Sequence, residues 1–381
     1  MSLMRAKIVK VLITGSNGFI GKNLQVHLAE RKNVEIVYFT RSNGIEELPD
    51  LMQGIDFVFH LAGVNRSLDP KEFFAGNVKL TSALCHAVFM VAQSTGKKVS
   101  IIYASSTQAG RNSHYGQSKL AAEVVLQTAA LDYGIPVYIF RLPNVFGKWC
   151  KPNYNSVVAT FCYNIARDLT IQVNDPDAQV ILVYVDDLIQ RFMQLMDGVD
   201  ALTITGGFAM VAPQYITTVG DWARQIQAFK DSRKTLMIES VGRGKLRALY
   251  ATYLSYLPVE SFSYALPRHT DPRGVFGEML KTPDYGQISF FTAHPGCTRG
   301  GHYHHSKTEK FLVIQGHARF KFRHIQTGQV HELVVTGDKS EVVETVPGWT
   351  HDITNIGPYE LTVLLWANEI FEPERPDTIA G

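Results

Sequence analysis

The stretch GCTRGGHYHHSKTEKFLVIQG, Gly296 to Gly316, places His302 and His304 two residues apart, with Glu309 following. On a strand, residues two apart project to the same face, so both imidazoles would point one way. Glu309 falls on the same strand or just past a bend, and VPGWTHDITN supplies a distant histidine, His351. Three imidazole nitrogens and one carboxylate oxygen are a suitable shell for Zn²⁺ or another divalent transition metal.

A second set of residues suits different chemistry. Gly15, Gly18 and Gly21 in VLITGSNGFIG form G-x-x-G-x-x-G between a strand pattern and the helix pattern FIGKNLQVHLAE. Glycine permits a tight turn there and lets backbone N–H groups approach a pyrophosphate at the positive end of the helix. The next strand pattern ends YFTRSN, with Arg41 where an acid would bind a ribose 2′-hydroxyl. A basic residue suits a 2′-phosphate, which favours NADPH over NADH. Further on, HYGQSKLAAEVVL carries Tyr115 and Lys119 one helical turn apart, on one face. A nearby ammonium favours the phenolate, so Tyr115 is expected to exchange a proton with a carbonyl or alcohol oxygen near neutral pH. Upstream, YASS ends a strand with Ser105 and Ser106, either of which could hydrogen-bond that same oxygen; Ser105 is taken as the candidate.

These residues sit in two halves that differ in pattern. The chain has 381 residues, comfortable for two domains, and 45% hydrophobic residues excludes a disordered protein. Residues 1–245 alternate strand runs (KVLITG, VEIVYFT, DFVFHLAG, VSIIYASS, VYIFRLPN) with amphipathic helices, which predicts a parallel sheet covered on both faces. Residues 259–381 are short strands between Gly, Pro and Asn turns, an all-β sandwich or barrel, and residues 246–258 are read as the linker. Lys plus Arg number 37 against 35 for Asp plus Glu, so charge gives no reason to expect nucleic acid or an anionic membrane as partner. The four cysteines are scattered, as in a reducing compartment. No apolar run is expected to be long enough to span a bilayer, and KIVKVLITG leads straight into a glycine turn rather than resembling a signal peptide. The expected location is the cytoplasm.

With TGSNGFIG, HLAG, ASS, YGQSK and RLPNVFG on the page, the first half resembles the extended short-chain dehydrogenase/reductases that act on nucleotide sugars. The resemblance implies a Rossmann fold and catalysis by Tyr115, Lys119 and a serine. It implies that Asn17, Phe19 and Ile20 beside the glycines, Leu61, Ala62 and Gly63 of HLAG, and Lys119 hold the dinucleotide, and that Asn144 lies near the sugar nucleotide. The second half resembles the cupins. Their first motif, G-x5-H-x-H-x4-E-x6-G, is met by Gly296, His302, His304, Glu309 and Gly316, and the second in part, by Gly348, His351 and Asn355. DPRGVFGEML and RGGHYH are similar to the cupin epimerases of deoxysugar nucleotides, which makes Arg273 a candidate substrate contact. In those enzymes a histidine near the position of His302 acts as base, so His302 is open to either role, with ligand preferred.

The whole chain, in this order of halves, resembles the bifunctional CapF-type enzymes of bacterial capsular polysaccharide biosynthesis, through FGKWCKPNYNSVVATFCYNIARD, YATYLSYLP and EKFLVIQGHARFKFRH. That implies UDP-2-acetamido-2,6-dideoxy-β-L-arabino-4-hexulose as substrate, C3 epimerisation in the cupin, then NADPH-dependent C4 reduction to the L-talose product, with Zn²⁺ and a homodimer. The order is also chemical. A hydrogen beside a ketone is acidic, and the Lewis acidity of a bound metal would stabilise the enolate. Reducing the ketone afterwards removes that acidity and fixes the new configuration. The competing expectation keeps the reductase and makes the cupin a structural or dimerisation module, its metal closed by four protein ligands.

Overall fold

The structure, a computed structural model, describes residues 8–199, 204–205, 207–374 and 376–381. It divides into two compact units. One comprises the described residues up to Ala223 together with Ala251–Tyr256; the other comprises Arg224–Tyr250 together with Leu257–Gly381. The stretch expected to be a linker is largely helix, Gly244–Leu254. Its sequence explains this: Leu246, Leu249, Tyr250 and Tyr253 recur at helical spacing, and Leu249 and Tyr253 are buried.

The first unit is built on a parallel sheet of β1 (Val9–Thr14), β2 (Val34–Phe39), β3 (Phe57–His60), β4 (Ser100–Ser106) and β5 (Val137–Leu142), in the order β2-β1-β3-β4-β5. Both faces are covered, so these strands are apolar on both sides, and successive residues enter opposite cores. Leu12, Val58, Ile101 and Tyr103 pack with helices Leu80–Thr95 and His114–Tyr133. Val11, Ile13, Phe57, Phe59 and Ile102 pack with α1 (Phe19–Ala29) and helix Val185–Met196. A three-stranded sheet follows, with Asn144–Phe146 at one edge beside Gln179–Tyr184.

One expectation about membranes is corrected. The helical run Pro70–Thr95 is long and apolar enough to cross a bilayer by length and composition alone. Its apolarity serves the core instead, since Leu84, Cys85, Ala87, Val88 and Val91 are buried against the parallel sheet.

In the second unit two antiparallel sheets enclose one core. The larger runs Arg268–Asp271, Gly274–Thr282, Gly286–Ala293, Leu361–Ala367, Glu309–Gln315, Val342–Glu344; the smaller runs Val330–Thr336, His317–His324, Trp349–Asn355, Thr298–Tyr303, Ile379–Ala380. Alternation decides what faces inward: Phe311 and Val313 from one sheet meet Ala318, Phe320, Phe322 and Ile353 from the other. This is the expected cupin-type β-sandwich.

The turn between β1 and α1 is sterically tight. Gly15 has φ +73°, and a β-carbon on it would lie 2.5 Å from the Ala62 nitrogen. A β-carbon on Gly21 would lie 2.3 Å from the Gly15 carbonyl oxygen. Gly21→Ala is therefore expected to push α1 away from β1 and lower stability by about 1–3 kcal/mol. Urea unfolding followed by far-UV circular dichroism checks this.

Candidate functional site

In the first unit the glycine loop is tied to the segment after β3. The Thr81 hydroxyl donates to the Asn77 carbonyl (2.5 Å), so it must accept at 2.8 Å from Nε2–H of His60. Nδ1 of His60 then accepts from the Thr14 hydroxyl (2.7 Å), whose oxygen accepts from Ala62 N–H (3.2 Å). The closed chain of donors assigns the His60 tautomer. Burial, with help from the Lys119 charge, pulls the His60 pKa down to about 3, so the ring is neutral. Asn77 extends the network: Oδ1 accepts from Val64 N, and Nδ2 donates to the Val64 carbonyl and to Ser118 Oγ. Leu61, Ala62 and Gly63 are thereby held against Gly15 at the start of α1, where Asn17 and Gly18 are exposed and Phe19 and Ile20 half-buried. Gly18 caps α1 without a side chain, leaving the helix N-terminus open to an anion. Arg41 is exposed just beyond β2, whose Phe39 carbonyl accepts from Gly15 N.

Helix His114–Tyr133 begins at Ser113, whose hydroxyl accepts from Gly116 N, so Tyr115 stands in its first turn and Lys119 in its second. Lys119 is buried; its ammonium donates to the Ala104 carbonyl at 2.8 Å and lies 4.7 Å from the Tyr103 ring centre. Burial lowers its pKa to about 8, opposed by Glu123. Tyr115 departs from expectation. Burial raises the phenol above its ordinary value, with only a hydrogen bond to Ser106 pulling the other way. The phenol keeps its proton, which suits an acid more than a base.

The strand-end serines also divide differently from the expectation. Ser105 donates to Glu123 Oε1 at 2.5 Å, and Glu123 is held by Arg141 through Nη2–Oε2 at 2.6 Å. Neighbouring strand residues face opposite ways, and it is Ser106, whose Oγ accepts from Gln108 N at 3.1 Å, that interacts with the Tyr115 phenol and pulls its pKa down against burial. Ser105 thus satisfies a buried carboxylate. Asn144 opens the edge strand Asn144–Phe146 and is exposed.

In the second unit, His302, His304, Glu309 and His351 converge. One ligand atom from each lies within 4.8 Å of the others. Oε2 of Glu309 is 3.3 Å from His304 Nε2 and 3.4 Å from His351 Nε2. Nδ1 of His304 is hydrogen-bonded to the Asp377 carbonyl, which turns Nε2 inward. Lys307, buried and missed in the sequence, sits 3.2 Å from Glu309 Oε1 and leaves Oε2 for the cluster. Burial, reinforced by the other histidines and Lys307 and opposed by Glu309, lowers the His302 pKa to about 4. Against burial, the Glu309 carboxylate and the Asp377 carbonyl raise the His304 pKa, so a metal entering there would displace a proton. Three imidazoles and an ionised carboxylate are the donor types a divalent metal takes, so the residues fit one.

A cavity of about 310 Å³ opens onto His302, Glu309 and His351; Phe276, Phe291, Phe311, Ile353 and Leu365 make its apolar wall. Arg273 and Arg299 also line it. Arg273 is paired with Asp271 at 2.7 Å, so it has both the ion pair and the cavity position. Arg299, not foreseen as a site residue, donates to the Thr292 carbonyl at 2.9 Å. Its Nη2 is buried with no hydrogen-bond partner among the described residues and lies 3.6 Å from Asp271. The signal for it was its place just before the paired glycines and His302.

A glycine-loop site in a parallel-sheet unit and a histidine–carboxylate cavity in a β-sandwich define a Rossmann-type short-chain dehydrogenase/reductase domain joined to a cupin. Residues 11–205 match the NAD dependent epimerase/dehydratase family, and residues 269–379 match the polysaccharide biosynthesis C-terminal domain. The chain is 58% identical over 372 residues, 98% of both chains, to a UDP-2-acetamido-2,6-beta-L-arabino-hexul-4-ose reductase of Pseudomonas aeruginosa. It is similar to the crystal structure of the capsular polysaccharide assembling protein CapF of Staphylococcus aureus, with TM-score 0.87 and 42% identity over 97% of this chain and 99% of that one. The chain belongs to the CapF-type family of bifunctional capsular polysaccharide enzymes, whose first domain takes a nicotinamide cofactor.

The serines give a direct test. Ser106→Ala is expected to lower turnover about 10²- to 10³-fold, by removing a hydrogen-bond donor at the reacting oxygen. Ser105→Ala is expected to act chiefly on stability, costing about 1–3 kcal/mol because it strips a partner from buried Glu123. Steady-state kinetics and urea unfolding of both variants separate the two effects.

Proposed function

We propose that the protein acts in the cytoplasm on UDP-2-acetamido-2,6-dideoxy-β-L-arabino-4-hexulose, epimerising C3 in the cupin unit and then reducing C4 with NADPH to give the L-talose product. What supports this most is the 58% identity, over 98% of both chains, with a reductase of that 4-ulose. When bound, the dinucleotide supplies hydride to C4, and a divalent metal held by His302, His304, Glu309 and His351 supplies positive charge against the negative charge of the enolate.

The protein's residues do the rest. In the reductase, Tyr115 hands its proton to the oxygen that becomes the alcohol; its raised pKa suits that direction. Ser106 holds the same oxygen, and Lys119 beneath provides positive charge for the tyrosinate left behind. Gly15, Gly18 and Gly21 leave the first turn of α1 open to the pyrophosphate, and Arg41 suits a 2′-phosphate. Asn144 would contact the sugar nucleotide. In the cupin, the apolar wall excludes water from the sugar, and Arg273 and Arg299 offer cations to its anionic carrier. Access from the cavity to His302, Glu309 and His351 favours catalysis over a closed structural centre.

Incubation of the 4-ulose in D₂O without NADPH is expected to place deuterium at C3, and NADPH then to give the reduced product. Tyr115→Phe should cut reduction by about 10²- to 10⁴-fold and leave exchange intact. His302→Ala should abolish exchange; exchange that persists at the wild-type rate in that variant would falsify the cupin assignment. For the cofactor, Arg41→Asp is expected to raise KM for NADPH at least about 10-fold, on the order of the 1.4 kcal/mol that separates a tenfold change, and to improve use of NADH. Initial-rate kinetics with both dinucleotides check it.

A further inference from the structure

His304 and Glu309 belong to different sheets. His304 follows strand Thr298–Tyr303 of the smaller sheet, whereas Glu309 begins strand Glu309–Gln315 of the larger one. Strand pairing fixes His302 and Tyr303 in the smaller sheet and Glu309 in the larger one. His304 lies in the crossover 304–308, which forms no strand and is tied at its ends by Gly348 N–H to the His304 carbonyl and by Asn368 to Thr308. A single acidic residue far along the chain gathers this crossover. Asp377 Oδ1 accepts from His305 N at 2.8 Å; Oδ2 accepts from Ser306 N (2.7 Å), Ser306 Oγ (2.9 Å) and Lys307 N (2.8 Å). The carbonyl of the same residue is hydrogen-bonded to His304 Nδ1. Asp377 is carried there by strand Ile379–Ala380, which pairs with His302 and Tyr303.

We propose that Asp377 is a positioning residue for the metal centre, holding the 304–307 segment so that His304 Nε2 and the Glu309 carboxylate stay aimed at one point. Three successive backbone N–H groups folded around one carboxylate make a rigid anion cradle, here occupied by the protein's own side chain. The same contacts seat Lys307 against Glu309 Oε1, which restricts the carboxylate to offering Oε2. Outer-shell partners of this kind commonly set metal affinity over a 10- to 100-fold range. The inference rests on reading the four-residue cluster as a metal centre.

The test uses full-length protein stripped of metal and titrated with Zn²⁺ against a chromophoric chelator, and separately with Co²⁺ followed by visible absorption. Wild type is expected to take up one ion per chain. Asp377→Ala should weaken Zn²⁺ binding about 10- to 100-fold and alter the Co²⁺ spectrum. Asp377→Asn, which keeps one acceptor oxygen, should fall between the two. Near-UV circular dichroism of the metal-free proteins reports whether each variant is folded; should Asp377→Ala not fold, the Asn variant carries the test. Wild-type affinity and an unchanged Co²⁺ spectrum in folded variants would overturn the positioning role while leaving the metal centre standing. Failure of wild type to bind either ion would overturn the metal reading and this inference with it.

Discussion

At the end of β1 the chain runs so close to the segment after β3 that backbone meets backbone. There is no room for a side-chain atom between Gly15 and Ala62, nor between Gly21 and Gly15. This contact fixes where the first turn of α1 points, and so where an anion can be received. It also explains why so many polar groups nearby are buried. Thr14, His60, Asn77, Thr81 and Ser118 are all nearly inaccessible, and each spends its hydrogen bonds on tying the two segments together. A network with every donor and acceptor matched is rigid as well as stable. Lys119 lies within the field of the same network.

The second unit meets the opposite demand, bringing ionisable groups together out of water. Glu309 is the common neighbour of His304, His351 and Lys307, and its carboxyl stays ionised because those partners outweigh the cost of burial. The two units thus hold charge in different ways. One uses backbone groups and a helix terminus; the other uses side chains focused on one buried carboxylate.

Much of this was legible in the residues. Period-two and helical patterns distinguished the two folds, and the spacing of His302, His304 and Glu309 indicated a cluster that the structure does assemble. What escaped has physical reasons. Adjacent strand residues are equivalent on paper, so Ser105 and Ser106 could not be told apart until the helix carrying Glu123 was in place. Spacing put an ammonium near Tyr115 but carried no information on burial, which moves the phenol the other way. Lys307 and Asp377 act through the shape of a crossover, and Arg299 through a cavity wall; none has a periodic signature. The stretch joining the two halves is largely helix, and its apolar spacing, Leu246, Leu249, Tyr250 and Tyr253, is legible in the residues.

The path of the chain between its units has one more implication. It passes from the first to the second after Ala223, returns at Ala251, and leaves again after Tyr256. Each recognisable module, 11–205 and 269–379, is an uninterrupted stretch, yet the compact bodies built around them are not. No single cut between the modules separates the two compact units cleanly: a fragment ending after Ala223 lacks Ala251–Tyr256, and one ending after Tyr256 carries Arg224–Tyr250 of the other unit.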